Sequence, residues 1–81
     1  MELTVEIRLE VVDDEVVARA SLDALGEHFE AAGSSPRSGW LRSELPVVPQ
    51  GLALARALRG LEALVMETVH EHLDRSAVDD V

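Results

Sequence analysis

Strict alternation of apolar and polar residues near the N-terminus is the feature that most limits the fold of this 81-residue chain. Polar residues fill every second position from Glu2 to Glu10. The positions between them hold the apolar residues Leu3, Val5, Ile7, Leu9 and Val11. A period of two residues is that of a β-strand with one buried face. The pattern therefore predicts a half-buried strand over residues 3–11.

The segment that follows, residues 15–25, is open between a strand and a helix. As a helix, it would align Ala18 and Leu22 on one apolar stripe. As a strand joined by a two-residue turn, it would pair residues whose numbers sum to 27, so that Leu9 faces Ala18. Both apolar sets then share one face without a slip in register, as one buried face requires. We therefore favour a β-hairpin.

The rest of the chain divides by composition. Residues 27–32 can form a short third strand, which completes a sheet within residues 1–32. Residues 33–50 hold all three prolines and are expected to be a connector. A leucine stripe predicts a helix over residues 51–75, followed by a flexible tail at 76–81.

These elements predict a single α+β domain of β-β-β-α type. An antiparallel three-stranded sheet would carry one long C-terminal helix on one face, and the alternative is β-α-β-α. The expected helix is about as long as a ten-residue strand, so we expect it to cover the whole sheet. The helix carries more apolar surface than three strands require, and this surplus predicts a homodimer.

Composition excludes several kinds of site. The chain has no cysteine, which excludes disulfides and thiolate metal sites. Glu67 and His70 have the spacing of a di-iron ligand pair, but no second pair accompanies them, so we interpret them as a solvated helix end. No catalytic, cofactor-binding or metal-binding motif is present. We expect a protein that is not an enzyme and that needs no cofactor.

The charge balance limits the partners. With 16 acidic residues against seven arginines and no lysine, the formal net charge is −9. This field repels phosphate backbones and therefore disfavours binding to RNA or to ribosomes. A basic protein partner is the alternative, as for an acidic antitoxin or immunity-type inhibitor. We find no signal-like N-terminus and no long apolar run, so we expect a cytoplasmic protein that does not bind membranes.

A small set of residues is the candidate for contacts with partners. Trp40 stands in the connector, where two interpretations are open: it covers one end of the core, or it anchors a binding segment, because an exposed tryptophan on a loop is typical of an interaction site. Four arginines from the connector and the helix start could form one basic patch: Arg37, Arg42, Arg56 and Arg59.

The segments "LTVEIRL…ARASL" at residues 3–22 and "VVPQGLALARALRGLEALV" at residues 47–65, with "PRS" at 36–38, carry a family resemblance. The chain resembles small actinobacterial proteins with a dsRBD-like fold, a dormancy-associated family similar in fold to ribosome hibernation factors. The sequence departs from that pattern where Leu3 replaces a tryptophan and Gln50 replaces an isoleucine. The resemblance implies a dimeric β-β-β-α domain, with a link to stress or to ribosomes, and it supplies no catalytic residue.

Overall fold

A computed structural model describes residues 1–37 and 47–79, with side chains described as far as residue 75. Three strands are followed by one helix: β1 (Val5–Val12), β2 (Glu15–Ala24), β3 (Glu27–Pro36) and α1 (Val47–Asp79). The sheet is antiparallel in the order β1-β2-β3. The α+β class and the β-β-β-α order predicted from the sequence are confirmed, and the β-α-β-α alternative is excluded.

The β1–β2 hairpin has the predicted register. Leu9 pairs with Ala18, and Val5 pairs with Leu22, so the paired numbers sum to 27. The turn consists of Asp13 and Asp14, and Asp13 takes a φ of 55°, a conformation that aspartate adopts more readily than bulkier residues. The apolar face that the two strands share therefore set the register, despite a turn pair that is poorer than Asp-Gly.

The predicted boundaries of β3 and α1 were wrong at three points. β3 continues to Pro36 instead of ending near residue 32, because the ladder with β2 extends to the pair Pro36 and Glu15. Proline is tolerated at the end of an edge strand. The helix begins at Val47 rather than at residue 51, and Pro49 fits its first turn because the first amides of a helix have no intrahelical partner. It also continues to Asp79, through part of the expected tail.

The core lies between α1 and the two strands β2 and β3. Small residues dominate it, which lets the helix approach the sheet closely. Gly33 is the closest point: a Cβ atom added there would lie 2.6 Å from the carbonyl oxygen of Ala53. The buried residues of this core cluster are Val16, Ala18, Ala20, Phe29, Ala53, Ala57 and Leu61.

The helix does not cover the whole sheet, and this corrects the expectation from the sequence. It packs on β2 and β3, and every residue of β1 is exposed. The helix is long enough to cover the sheet, but it is too narrow: a helix is about 10 Å across, and strands lie about 4.8 Å apart, so one helix covers about two strands.

Candidate interaction surface

The inner face of β1 is an uncovered apolar strip. Val5, Ile7, Leu9 and Val11 point to the same face as the buried residues of β2, yet they are between 40% and 55% exposed. Scattered exposed aliphatic side chains are common on proteins, whereas a contiguous row on one strand is not. The row therefore marks a surface that a partner could cover.

Contacts with β3 fix the orientation of α1 about its own axis. Arg56 donates a hydrogen bond from Nη1 to the carbonyl oxygen of Ser34 at 2.6 Å. The buried hydroxyl of Thr68 lies 3.2 Å from a carboxylate oxygen of Glu27. Both partners belong to β3, so the flank of α1 that carries Arg56 faces the β3 side of the sheet.

The opposite flank of α1 is apolar and faces β1. Leu58 follows Arg56 by two residues, which is about 200° around a helix, so it lies on the other side. Leu58 is 41% exposed. The half-buried residues Leu54, Val65 and Val69 share this flank. We call this flank and the inner side chains of β1 the open apolar face; its residues are Val5, Ile7, Leu9, Val11, Leu54, Leu58, Val65 and Val69.

Apolar residues also continue onto the back of α1, away from its own sheet. Met66 follows Ala57 by nine residues, or two and a half turns, so it lies opposite the buried side of the helix. Met66 is 42% exposed, and Leu73 and Val48 are exposed in the same sector. Glu62 and Arg59 precede Met66 by four and seven residues, about one and two turns, so this sector also holds charged residues and is mixed.

The outer face of the sheet is polar. An open recess of about 930 Å³ lies over it, lined by Arg8, Arg19, Ser21 and His28 among others. Arg8 and Arg19 stand opposite each other in the ladder. The recess also contains Glu6 and Glu30, so its charges are mixed. This composition is that of a solvated sheet face.

His28 is held by two carboxylates on that outer face. Its Nδ1 lies 2.5 Å from Asp23 Oδ1, and its Nε2 lies 3.0 Å from Glu30 Oε1. The hydrogen bond to Glu30, and then that to Asp23, raises the pKa of His28 above the ordinary value of 6.5. The sequence pattern does not predict the two carboxylates that stabilise the imidazolium form of His28.

The structure describes three of the four predicted basic residues, which are Arg37, Arg56 and Arg59. Arg56 is bonded to β3, and Arg59 is exposed one turn further along the helix. Arg37 follows β3, and its backbone amide donates to the carbonyl oxygen of Asp14. The remaining two candidates, Trp40 and Arg42, lie outside the described residues.

Residues 1–37 and 47–79 contain no cluster of three or more histidine, aspartate or glutamate side chains that could hold a metal ion. Over the same ranges, no helix combines the length and the apolar character of a membrane span.

Sequence reasoning missed the open apolar face. The alternation along β1 predicts one apolar face, and together with the helix length it predicts that the helix covers this face, which the structure contradicts. A signal was present in the helix itself, because aliphatic residues at positions 54, 58, 65 and 69 make its apolar surface wider than one contact requires. The sequence predicts this surplus of apolar surface on the helix, but it does not predict that β1 lies uncovered beside it.

Comparison with known proteins identifies a fold and no family. No protein-family model matches the chain, and no curated protein matches it. Among solved structures, the chain is similar to the crystal structure of Rv2632c, with a TM-score of 0.81 and 21% sequence identity. The match covers 94% of this chain and 89% of that one. At this identity the similarity establishes that the two proteins share a fold.

Proposed function

We propose that this protein is a non-enzymatic interaction domain that associates with a second copy of itself through the open apolar face. The observation that carries the proposal is the row of four aliphatic side chains on β1, each at least 40% exposed beside an apolar helix flank. Contiguous apolar surface of this kind is what protein interfaces bury.

The size of the surface supports a second copy as the partner. Aliphatic side chains at about half exposure leave roughly 50 Å² each, so this face and the apolar back of the helix offer on the order of 500 Å². With the polar rim added, this approaches the roughly 800 Å² per partner of a standard interface. The same patch on both copies makes a closed two-fold dimer, the commonest symmetric assembly.

The family resemblance fits this proposal and extends it. A dsRBD-like domain of the dormancy-associated family would act as a dimer under stress, in the cytoplasm. Direct binding to RNA or ribosomes is less well supported, because the net charge is −9 and Arg56 is bonded to the sheet. No observation favours an acidic inhibitor of a basic protein over self-association.

A pair of matched substitutions on β1 tests the proposal. Leu9→Asp places a carboxylate in the open apolar face, whereas Val12→Asp places the same charge at an exposed position of the opposite face of the strand. We expect Leu9→Asp to weaken dimerisation at least about a hundredfold, because an unpaired buried charge costs several kcal/mol. Val12→Asp should leave it nearly unchanged.

Sedimentation velocity at several protein concentrations measures both effects, and circular dichroism checks that each variant is folded. If both variants dissociate equally, or if neither does, the open apolar face is not the surface of association.

A further inference from the structure

We propose that the second copy lays its α1 over β1 of the first, so that two sheets enclose a layer of two helices. This inference rests on the proposed self-association and specifies its architecture. It assigns the back of the helix, as well as the open apolar face, to the interface.

The uncovered strip of the sheet has the width of one further helix. α1 covers β2 and β3, and the sheet ends one strand beyond them, at β1. Packed helices lie about 8–10 Å apart, so a second helix beside α1 would rest above β1. Within the described residues α1 is the one helix of this chain, and a partner copy therefore supplies its own α1 for this place.

The back of α1 carries three exposed apolar residues, which lie beside the charged Arg59 and Glu62. Met66, Leu73 and Val48 point away from the sheet to which their own helix belongs. In the enclosed arrangement, this side of each helix meets the inner face of the partner's β1. One contact then covers both the exposed strand and the exposed back of the helix. Neither surface can be covered by its own chain.

Symmetry gives the arrangement a distinctive geometry. Two sheets on opposite sides of one helical layer are related by a two-fold axis that runs between the helices and along them. Such an axis keeps both helices running in the same direction and keeps equivalent residues at the same height. Leu58, on the flank facing β1, therefore meets the partner's Leu58 across the axis.

The competing arrangement joins the free edges of two β1 strands. It would extend the sheet to six strands and could pair Glu6 with the partner's Arg8. However, it would set the two helices on the same side, separated by about four strand spacings or roughly 19 Å. The open apolar face would then line an empty groove between them, so the enclosed arrangement accounts for more of the apolar surface.

Engineered disulfides distinguish the two arrangements, since the natural chain contains no cysteine. Leu58→Cys should form a covalent dimer under mild oxidation. Ala63→Cys is the control, because Ala63 is also exposed but lies on the β3 flank of the helix. We expect about tenfold more covalent dimer from Leu58→Cys, because a disulfide requires Cα atoms within about 7 Å.

A mixed sample tests the second contact. Met66 and Val5 lie at about the same level along the helix axis, and the two-fold axis preserves that level, so Met66 lies near the partner's Val5. Met66→Cys and Val5→Cys chains should therefore cross-link to each other. Arg8→Cys, on the outer face of β1, should not react with Met66→Cys.

The outcomes separate this inference from the proposal on which it rests. A wild-type protein that sediments as a monomer defeats both. A wild-type dimer in which Leu58→Cys does not cross-link above the Ala63→Cys control defeats the enclosed arrangement alone. In that case, cross-linking of Ile7→Cys chains to one another would indicate pairing of the β1 edges.

Discussion

At the scale of the residue, Gly33 determines how closely the helix and the sheet approach. The position a Cβ would occupy is already filled by backbone and side-chain atoms of α1 at Ala53, Arg56 and Ala57. Backbone atoms cannot move aside as a flexible side chain can. Glycine is therefore required here by contact across the two layers, although it lies within a strand, where it is otherwise unfavourable.

We predict that Gly33→Ala destabilises the fold by about 2–3 kcal/mol, because the added methyl group forces α1 away from β3. Gly51→Ala is the matched control: it adds the same group to a helical position with open space around it. That change should stabilise the protein by up to about 1 kcal/mol through helix propensity. Chemical denaturation measures both, and equal effects of the two substitutions would contradict the packing described for Gly33.

His28 makes stability depend on pH in a defined direction. Because Glu30 and Asp23 raise its pKa in the folded state, its contribution is fully present below the unfolded value of about 6.5 and is lost as pH rises through the folded pKa. We predict that the ring titrates by NMR with a midpoint above 6.5. As the pH rises above that midpoint, the wild-type protein loses the folding stability that protonated His28 contributes. The His28→Gln variant should not show this loss. A midpoint at or below 6.5 would contradict the two-carboxylate arrangement.

At the scale of the element, the hairpin register was predictable and the element boundaries were less so. Because apolar and polar residues alternate in both strands, one register places Leu9 and Ala18 on the same face. The local pattern alone was therefore sufficient to predict the register. The end of β3 could not be predicted in this way, because Gly33 and the residues up to Pro36 have a composition typical of loops. Their strand conformation depends on pairing with β2, a contact that a local pattern does not contain.

The open apolar face illustrates a different limit of sequence reasoning. The alternation of β1 says that one face is apolar, but it does not say what covers that face. Coverage depends on where the helix lies across the sheet, which the small residues Ala18, Gly33 and Ala57 determine by admitting the helix over β2 and β3. The surplus of apolar surface on the helix indicated a partner, and only the fold places that surplus beside β1.

At the scale of the whole molecule, repulsion between the charges of the two copies opposes their association. Each chain carries a formal charge of −9, so a dimer carries twice that, and the two copies repel each other. At 0.1 M, salt screens the repulsion between exposed charges that lie more than about 10 Å apart. Salt does not weaken the stabilisation that comes from burying apolar surface. An association that is apolar at its centre should therefore strengthen when salt is added, in contrast to binding through arginines and phosphates.

The mass of the wild-type protein in solution tests the central claim most directly. Sedimentation equilibrium at micromolar concentration and 0.15 M salt should give twice the chain mass of 8.8 kDa. Raising the salt to 0.5 M should maintain or tighten the dimer. A mass of one chain at all concentrations would mean that the open apolar face stays exposed, and the account of this protein as a self-associating domain would be wrong.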